Sequence, residues 1–240
     1  MNEDPLADTG HPRGYDLEVR HLKERAVKMG EWSLQMVHDG WRAFDQGDVT
    51  AARRVLERNA GLDRLDDEME HATIAFLVLR QPAAVDLRTA AALLKMTTHM
   101  DRIGRLGFDM ARMTHPEPET GTAELRSLLQ KMDEVVEEMV RESLETLAQG
   151  KVEEGRELFR RDDEVDGMYR KALHLVISAF AANPGSAARL TSLLLVARHF
   201  ERIADNACKI AEKTIYAVTA QRRADYLPRR PPRLLYDDPV

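Results

Sequence analysis

The chain has 240 residues, 43% hydrophobic and 32% charged, with a net charge of −6, a globular rather than a disordered or membranous balance and room for one large domain or two of about 100 residues. The charge is uneven: residues 221–240 hold five Arg against three Asp, which leaves −8 on residues 1–220. An acidic body argues against nucleic acid as the main partner, because phosphate-backbone binding needs an excess of Lys and Arg.

The ten prolines punctuate the chain. Pro5 and Pro12 lie at the start, Pro228, Pro231, Pro232 and Pro239 at the end, and only Pro82, Pro116, Pro118 and Pro184 between. Proline lacks the N–H that a helix interior needs, so long proline-free tracts read as helices. Aromatic residues are only 5% and Val-Ile-Thr runs are few, which argues against a sandwich or barrel. Residues 1–13 read as a disordered leader without the basic and apolar regions of a secretory signal. Helical patterns follow from about Tyr15 to Phe44, from Thr50 to Leu79 and from Ala84 to Met113, divided by the turn at Gln46-Gly47-Asp48 and the break at Gln81-Pro82. After Thr114–Pro118 the order of events repeats: helix over Thr122–Ala148, turn at Gln149-Gly150-Lys151, helix over Glu153–Ala181, break at Asn183-Pro184-Gly185, helix over Ala187–Val218. The Arg/Pro-rich remainder reads as a disordered, solvated tail. No apolar run approaches the roughly 20 residues of a spanning helix, and the single cysteine, Cys208, excludes an intramolecular disulfide and fits a reducing compartment. A cytoplasmic protein without membrane insertion is expected.

The repetition extends to residues. At an offset of 103, Gln46-Gly47 falls on Gln149-Gly150, Leu62 on Val165 and Asp63 on Asp166; beyond the proline breaks the offset is 100, with Leu94 on Leu194, Asp101-Arg102-Ile103 on Glu201-Arg202-Ile203 and Ala111 on Ala211. The fold class is therefore all-α: a tandem repeat of two antiparallel three-helix bundles, residues 15–115 and 119–218, with helices of about 25–30 residues, roughly 40 Å each. A single six-helix domain from the same duplication is the alternative.

Acidic residues stand where apolar ones are expected. At about 100° per residue, Asp162 lies inside the stripe formed by Leu158, Val165, Tyr169, Ala172, Val176 and Phe180, with Asp166 at its edge. Asn59 and Asp63 take the same phases in the first copy. Glu201 and Asp205 share a face of the last helix with Leu190, Leu194 and Cys208, and their counterparts are Asp101 and Arg105. Unpaired burial of a carboxylate costs several kcal/mol, so compensation is required. Two forms fit the spacing equally. Asp162, Asp166, Glu201 and Asp205 make an all-oxygen donor set for a hard or borderline metal, or they pair with Arg160, Arg161, Arg198 and Arg202 as a salt-bridge layer. In the first copy Arg105 is placed to sit between Asp63 and Asp101 and do the work of a cation.

Other candidates carry less. Glu68 and His71 have the Glu/His spacing of a di-iron helix, but a di-iron site needs two such motifs and these residues lie on the polar side. His174 reads as a surface or packing histidine, and His38, His99 and His199 have no mutual metal spacing. No P-loop, dinucleotide fingerprint or nucleophile elbow occurs, and nothing calls for an organic cofactor. Met29, Met36, Met96, Met100, Met110, Met132 and Met139 recur at helical spacing as core filler.

The duplicated unit resembles the PhoU family of phosphate-specific transport system accessory proteins. The carrying segments are Asp162-Asp163-Glu164-Val165-Asp166 and Phe200-Glu201-Arg202-Ile203-Ala204-Asp205-Asn206-Ala207. In the first copy they are Asn59 to Asp63, Pro82-Ala83-Ala84-Val85-Asp86-Leu87-Arg88 and Asp101-Arg102-Ile103-Gly104-Arg105. The resemblance implies a cytoplasmic negative regulator of phosphate uptake and the phosphate-starvation response, not an enzyme, linking the phosphate ABC transporter ATPase to a sensor histidine kinase. It also implies a homodimer and iron or zinc on the acidic motifs, with Asp162, Asp166, Glu201 and Asp205 as second-copy ligands and Asp63 and Asp101 as first-copy ones. Asn59 and Arg105 depart from that pattern. The competing expectation is a metal-binding bundle that serves as an enzyme or a store through the second-copy carboxylates.

Overall fold

The computed structural model describes residues 16–116 and 123–227; the expected leader and the end of the Arg/Pro tail lie outside them. The first copy consists of α1 (Asp16–Gln46), α2 (Val49–Glu57), α3 (Asn59–Arg80) and α4 (Ala84–Arg112). The second consists of α5 (Ala123–Gln149), α6 (Val152–Ala182) and α7 (Ala187–Thr219), followed by the short α8 (Arg223–Tyr226). Among the described residues there is no strand. The matching turns at Gly47 and Gly150 have φ of 67° and 68°, a left-handed conformation that glycine adopts without a Cβ penalty. The same device thus folds both copies back after their first helix, and Asp48 adds a cap, its Oδ1 accepting from Ala51 N at 2.9 Å.

Two departures from the sequence expectation have local causes. The helix expected over Thr50–Leu79 is divided at Arg58, whose backbone N–H bonds to Val55 O at 3.1 Å, a tightened i→i−3 turn. The Arg58 guanidinium reaches Asp39 on α1 at 2.5 Å, and Gly61 lies so close to the Trp32 indole that a Cβ there would stand 2.8 Å from it. At the equivalent position of the unbroken α6, Arg161 donates to Glu142 at 2.6 Å and to Glu138 at 2.7 Å. The ion pair recurs, but the kink does not. The second departure is at the end: the region read as tail from residue 219 holds α8, latched to α6 by Arg223 over the Phe159 ring (5.0 Å) and Arg156 over the Tyr226 ring (5.1 Å).

The copies are not isolated bundles. α1 packs on α4 and α5 on α7, while α4 meets α7 and α1 meets α5 across the junction; α2 and α3 cover the first copy and α6 the second. The apolar core is continuous through the junction, where Trp41 meets Phe200 edge-to-face at 5.4 Å. Met29, Met36, Met96, Met100, Met110, Met132 and Met139 are all buried, each contributing about 1.5–3 kcal/mol of burial. The closest helix approach is in the first copy: a Cβ added at Gly107 of α4 would stand 2.5 Å from the Met36 backbone on α1, and one at Gly40 would strike the Gly107 carbonyl. Ser143 and Ala207 occupy the equivalent second-copy positions.

Candidate functional site

The paired acidic faces lie where the second helix of each copy meets the third, α3 against α4 and α6 against α7. In the first copy Arg105 bridges the two helices. Its Nε donates to Asp101 Oδ2 at 2.8 Å and its Nη2 to Asp63 Oδ1 at 2.7 Å. Asn59 extends the chain, its Nδ2 donating to Asp63 Oδ2 at 3.2 Å. The guanidinium fork thus occupies the place between the carboxylates that a cation would take. Asp66 shares this neighbourhood: burial, then the charge of Asp101, raises its carboxyl above the ordinary range, with Arg105 acting the other way.

The second copy keeps the positions and loses the bridge. Asp205 stands where Arg105 does, and Asp162 where Asn59 does. Asp162 is 8% exposed, as its place in the apolar stripe requires. Glu201 has a side chain only 13% exposed and accepts from Arg198 Nη1 at 2.6 Å through Oε1; its buried Oε2 has no hydrogen-bond partner. Burial pushes the Glu201 carboxyl up to about 7; Asp205 and Asp166 add to the rise and Arg198 opposes it. Among the described residues, three of the four arginines read as neutralisers form ion pairs, but only Arg198 does so with an acid of this face, Glu201; Arg161 is engaged with Glu138 and Glu142 and Arg160 with Glu157. Both faces leave an orphaned carboxylate oxygen, Asp101 Oδ1 in the first copy and Glu201 Oε2 in the second; what differs is the guanidinium of Arg105 set between Asp63 and Asp101, where the second copy has Asp205. The donor chemistry of Asp162, Asp166, Glu201 and Asp205 suits a hard cation, yet as the side chains stand no three His, Cys, Asp or Glu among the described residues form a group able to hold an ion.

The remaining sequence candidates fall where the helical phases put them. Glu68 is exposed and faces Arg25 at 3.5 Å, and His71 Nδ1 lies 2.7 Å from the Asp67 carbonyl. Cys208 is buried with its thiol well above the ordinary range through burial, then through Asp162 and Asp205, which makes it unreactive.

Two clusters escaped the reading by single helices because both form across the junction. Glu137 on α5 is buried, with Oε1 2.6 Å from His38 Nδ1 on α1 and Oε2 accepting from Arg141. Beside it, Asp133 is pushed up to about 8 by burial and then by Glu137 and Glu134, and its Oδ1 is buried without a partner. The available signal was Glu137 itself, set between Met132, Val136, Met139 and Val140. The second is a basic cavity between α4, α7 and α8; its signal was Lys209 and Lys213, one turn apart in the last helix, followed by Arg222-Arg223, which read as part of the solvated tail. A further asymmetry is apolar: Val78 and Leu79 of α3 and Val85 and Leu87 of α4 are exposed, whereas residues 181, 182, 185 and 187 of the second copy are Ala or Gly; Ile74 and its counterpart Ile177 are both exposed.

Comparison with known proteins agrees with the duplicated all-α fold. The family model of the PhoU domain matches residues 26–114 and again residues 129–214. The phosphate-specific transport system accessory protein PhoU homolog of Clostridium acetobutylicum is 23% identical over 209 residues, covering 87% of this chain and 95% of that protein. The homolog of the same name from Rhizobium meliloti is 28% identical over 206 residues, covering 85% and 87%. The crystal structure of PhoU from Pseudomonas aeruginosa superposes with a TM-score of 0.81 at 25% identity, over 86% of this chain and all of that one.

Proposed function

This chain belongs to the PhoU family, and from that membership we propose that it is a non-catalytic accessory protein of phosphate-specific transport that restrains uptake and the starvation response from the cytoplasm. The observation that carries the reading is the match of both copies to the family domain, at nearly full length of relatives bearing the accessory-protein name. In this reading it joins the transporter's ATPase to a sensor histidine kinase. Support comes from surface rather than chemistry: the exposed apolar end of α3 and the start of α4 is the kind of patch that marks contact with another protein. Among the described residues no helix is long and apolar enough to cross a membrane, so contact with membrane partners would be made from outside the bilayer.

The second acidic face is proposed as the ion-responsive part, with iron or zinc held by Asp162, Asp166, Glu201 and Asp205. The orphaned Oε2 of Glu201, together with an acid at position 205 where the first copy carries Arg105, supports this. A bound ion would supply there the positive charge that Arg105 supplies in the first copy.

The test is co-purification from cells grown at high and at low phosphate, together with the alkaline phosphatase level of a deletion strain. Capture of the ATPase or the kinase in one condition, with derepressed phosphatase on deletion, is expected. Capture of neither in both conditions, with unchanged phosphatase, would sink the reading.

A further inference from the structure

Among the described residues of this −6 chain lies a cavity of opposite character. A cavity of about 410 Å³ lies on the seam between the copies, lined by Ala91, Ala92 and Lys95 of α4, by Glu212, Lys213 and Tyr216 of α7, and by Arg222, Arg223 and Ala224. Four cations face it against a single carboxylate. That carboxylate is already engaged: Glu212 accepts from Lys213 at 2.8 Å and Lys209 at 3.2 Å. Burial would raise Glu212, yet the two lysines hold it below the ordinary range. Among the described residues, Lys95, Arg222 and Arg223 have no carboxylate at ion-pair distance. The positive field reaches one turn further along the seam, where His99, hydrogen-bonded to Asn206 at 2.9 Å, is held below its ordinary range by burial first and then by Arg102, Lys213 and Lys209.

The arrangement is built by the chain end. Ala220 takes a left-handed φ of 61° at the end of α7, its N–H bonding to Tyr216 O at 2.9 Å, and the reversed chain brings Arg222 and Arg223 back over the cavity. The latch of α8 on Phe159 and Arg156 fixes that course. Holding like charges around one cavity is unfavourable without an anion to offset them. The size lies within the range of small-ligand sites, about 300–1,000 Å³. Two guanidinium groups supply fork geometry suited to phosphoryl oxygens, the two ammonium groups supply point charges, and Tyr216 with three alanines supplies an apolar wall.

We propose that this cavity between α4, α7 and α8 binds a small anion bearing a pyrophosphate group, either pyrophosphate itself or a nucleoside diphosphate, and that the ligand bridges the two copies. The site lies on the seam rather than on either acidic face, and it does not depend on the regulatory reading. The phosphate chain lies among Lys95, Lys213, Arg222 and Arg223; in the nucleotide case the base lies on Tyr216. Lys95 and Arg222 are exposed, so reversing their charges removes ligand contacts without opening the core.

Titration calorimetry of the full chain at about 150 mM salt, where exposed charge attraction is largely screened, tests the site with pyrophosphate, ADP and citrate. Saturable binding of pyrophosphate or ADP is expected, weakened at least about tenfold by Lys95→Glu with Arg222→Glu, while the ligand-free melting temperature of that variant stays unchanged. Tighter binding of ADP than of pyrophosphate, lost selectively in Tyr216→Ala, assigns a nucleotide; equal affinity assigns pyrophosphate itself. No saturation by either below about 10 mM, binding unaffected by the double charge reversal, or citrate bound more tightly than both would overturn the proposal.

Discussion

The first copy sets an arginine between the acids of its two helices, and the second sets a further acid at that position. Both place acids at equivalent points of α3/α4 and α6/α7, but Arg105 bridges Asp63 and Asp101 at 2.7 and 2.8 Å, whereas Asp205 at the equivalent position adds a further carboxylate beside Glu201. The difference teaches that the two copies share their helix order, apart from the break at Arg58, but not their charges. The first copy carries a built-in cation, Arg105, and the close-packed Gly40 and Gly107. The second has Asp205, Ser143 and Ala207 at those positions.

Exchanging the copies' features is the direct way to break this comparison. Gly107→Ala should cost about 3 kcal/mol, since the new Cβ meets the Met36 backbone, which has no rotamer to move aside. The reverse exchange, Ala207→Gly, should cost only about 1 kcal/mol of helix propensity plus lost packing. Urea midpoints of the two variants measure the contrast, and similar losses would refute the idea that close helix approach is confined to the first copy.

Arg105→Asp should rebuild the second copy's face in the first. The bridge is about half exposed, so the loss is about 1–2 kcal/mol rather than the larger cost of a buried pair. Melting temperature should then become sensitive to zinc or to a chelator through the first copy as well. Asp205→Arg is the converse. It should stabilise the metal-free chain by up to about 1 kcal/mol by pairing Asp166 and Glu201, and it should abolish metal uptake measured by elemental analysis. Retained metal in Asp205→Arg, or in Asp162→Ala with Asp166→Ala, would remove the proposed ion site.

The smallest effect concerns pH. Asp133, where the first copy has Gly30, is raised from 3.8 to about 8 by burial and then by Glu137 and Glu134, with Arg141 opposing and Asp45 adding. A carboxyl raised in the folded chain holds a proton that the unfolded chain has released, so its contribution to stability falls as pH rises from about 4 to about 8. Asp133→Asn carries no proton to lose. It should exceed the native chain by roughly 1 kcal/mol at pH 8.5, or about 2–4 °C, and the gap should close toward pH 5. A constant gap across that range would show that Asp133 titrates normally and that His38–Glu137 alone governs the junction.

Much of this was legible in the residues. The helix bounds, the turns at Gly47 and Gly150 and the burial of the methionines follow from proline placement and a 3.6-residue period, which are local. Asp162 was recognisable as buried because its helical phase coincides with Leu158 and Val165. The bridging role of Arg105 was legible too, since the repeat aligned it with an acid. The break at Arg58 was not, because its cause lies on another helix, in Asp39 and Trp32. Nor was α8 within a tail whose composition reads as solvated; its latch depends on Phe159 and Arg156, more than 60 residues earlier.

By itself, then, the sequence determined an all-α duplicated chain with an acidic stripe intact in one copy and altered in the other, because helical period and repeat offset act within each segment. Only the tertiary structure decided how that charge is managed. Arg161, adjacent to the stripe in sequence, turned to α5 instead; Glu137 found His38 across the junction; and Lys95, Lys213, Arg222 and Arg223, scattered over more than 120 residues, came to face one cavity. Those outcomes depend on which helices meet and how closely, and long-range packing sets both.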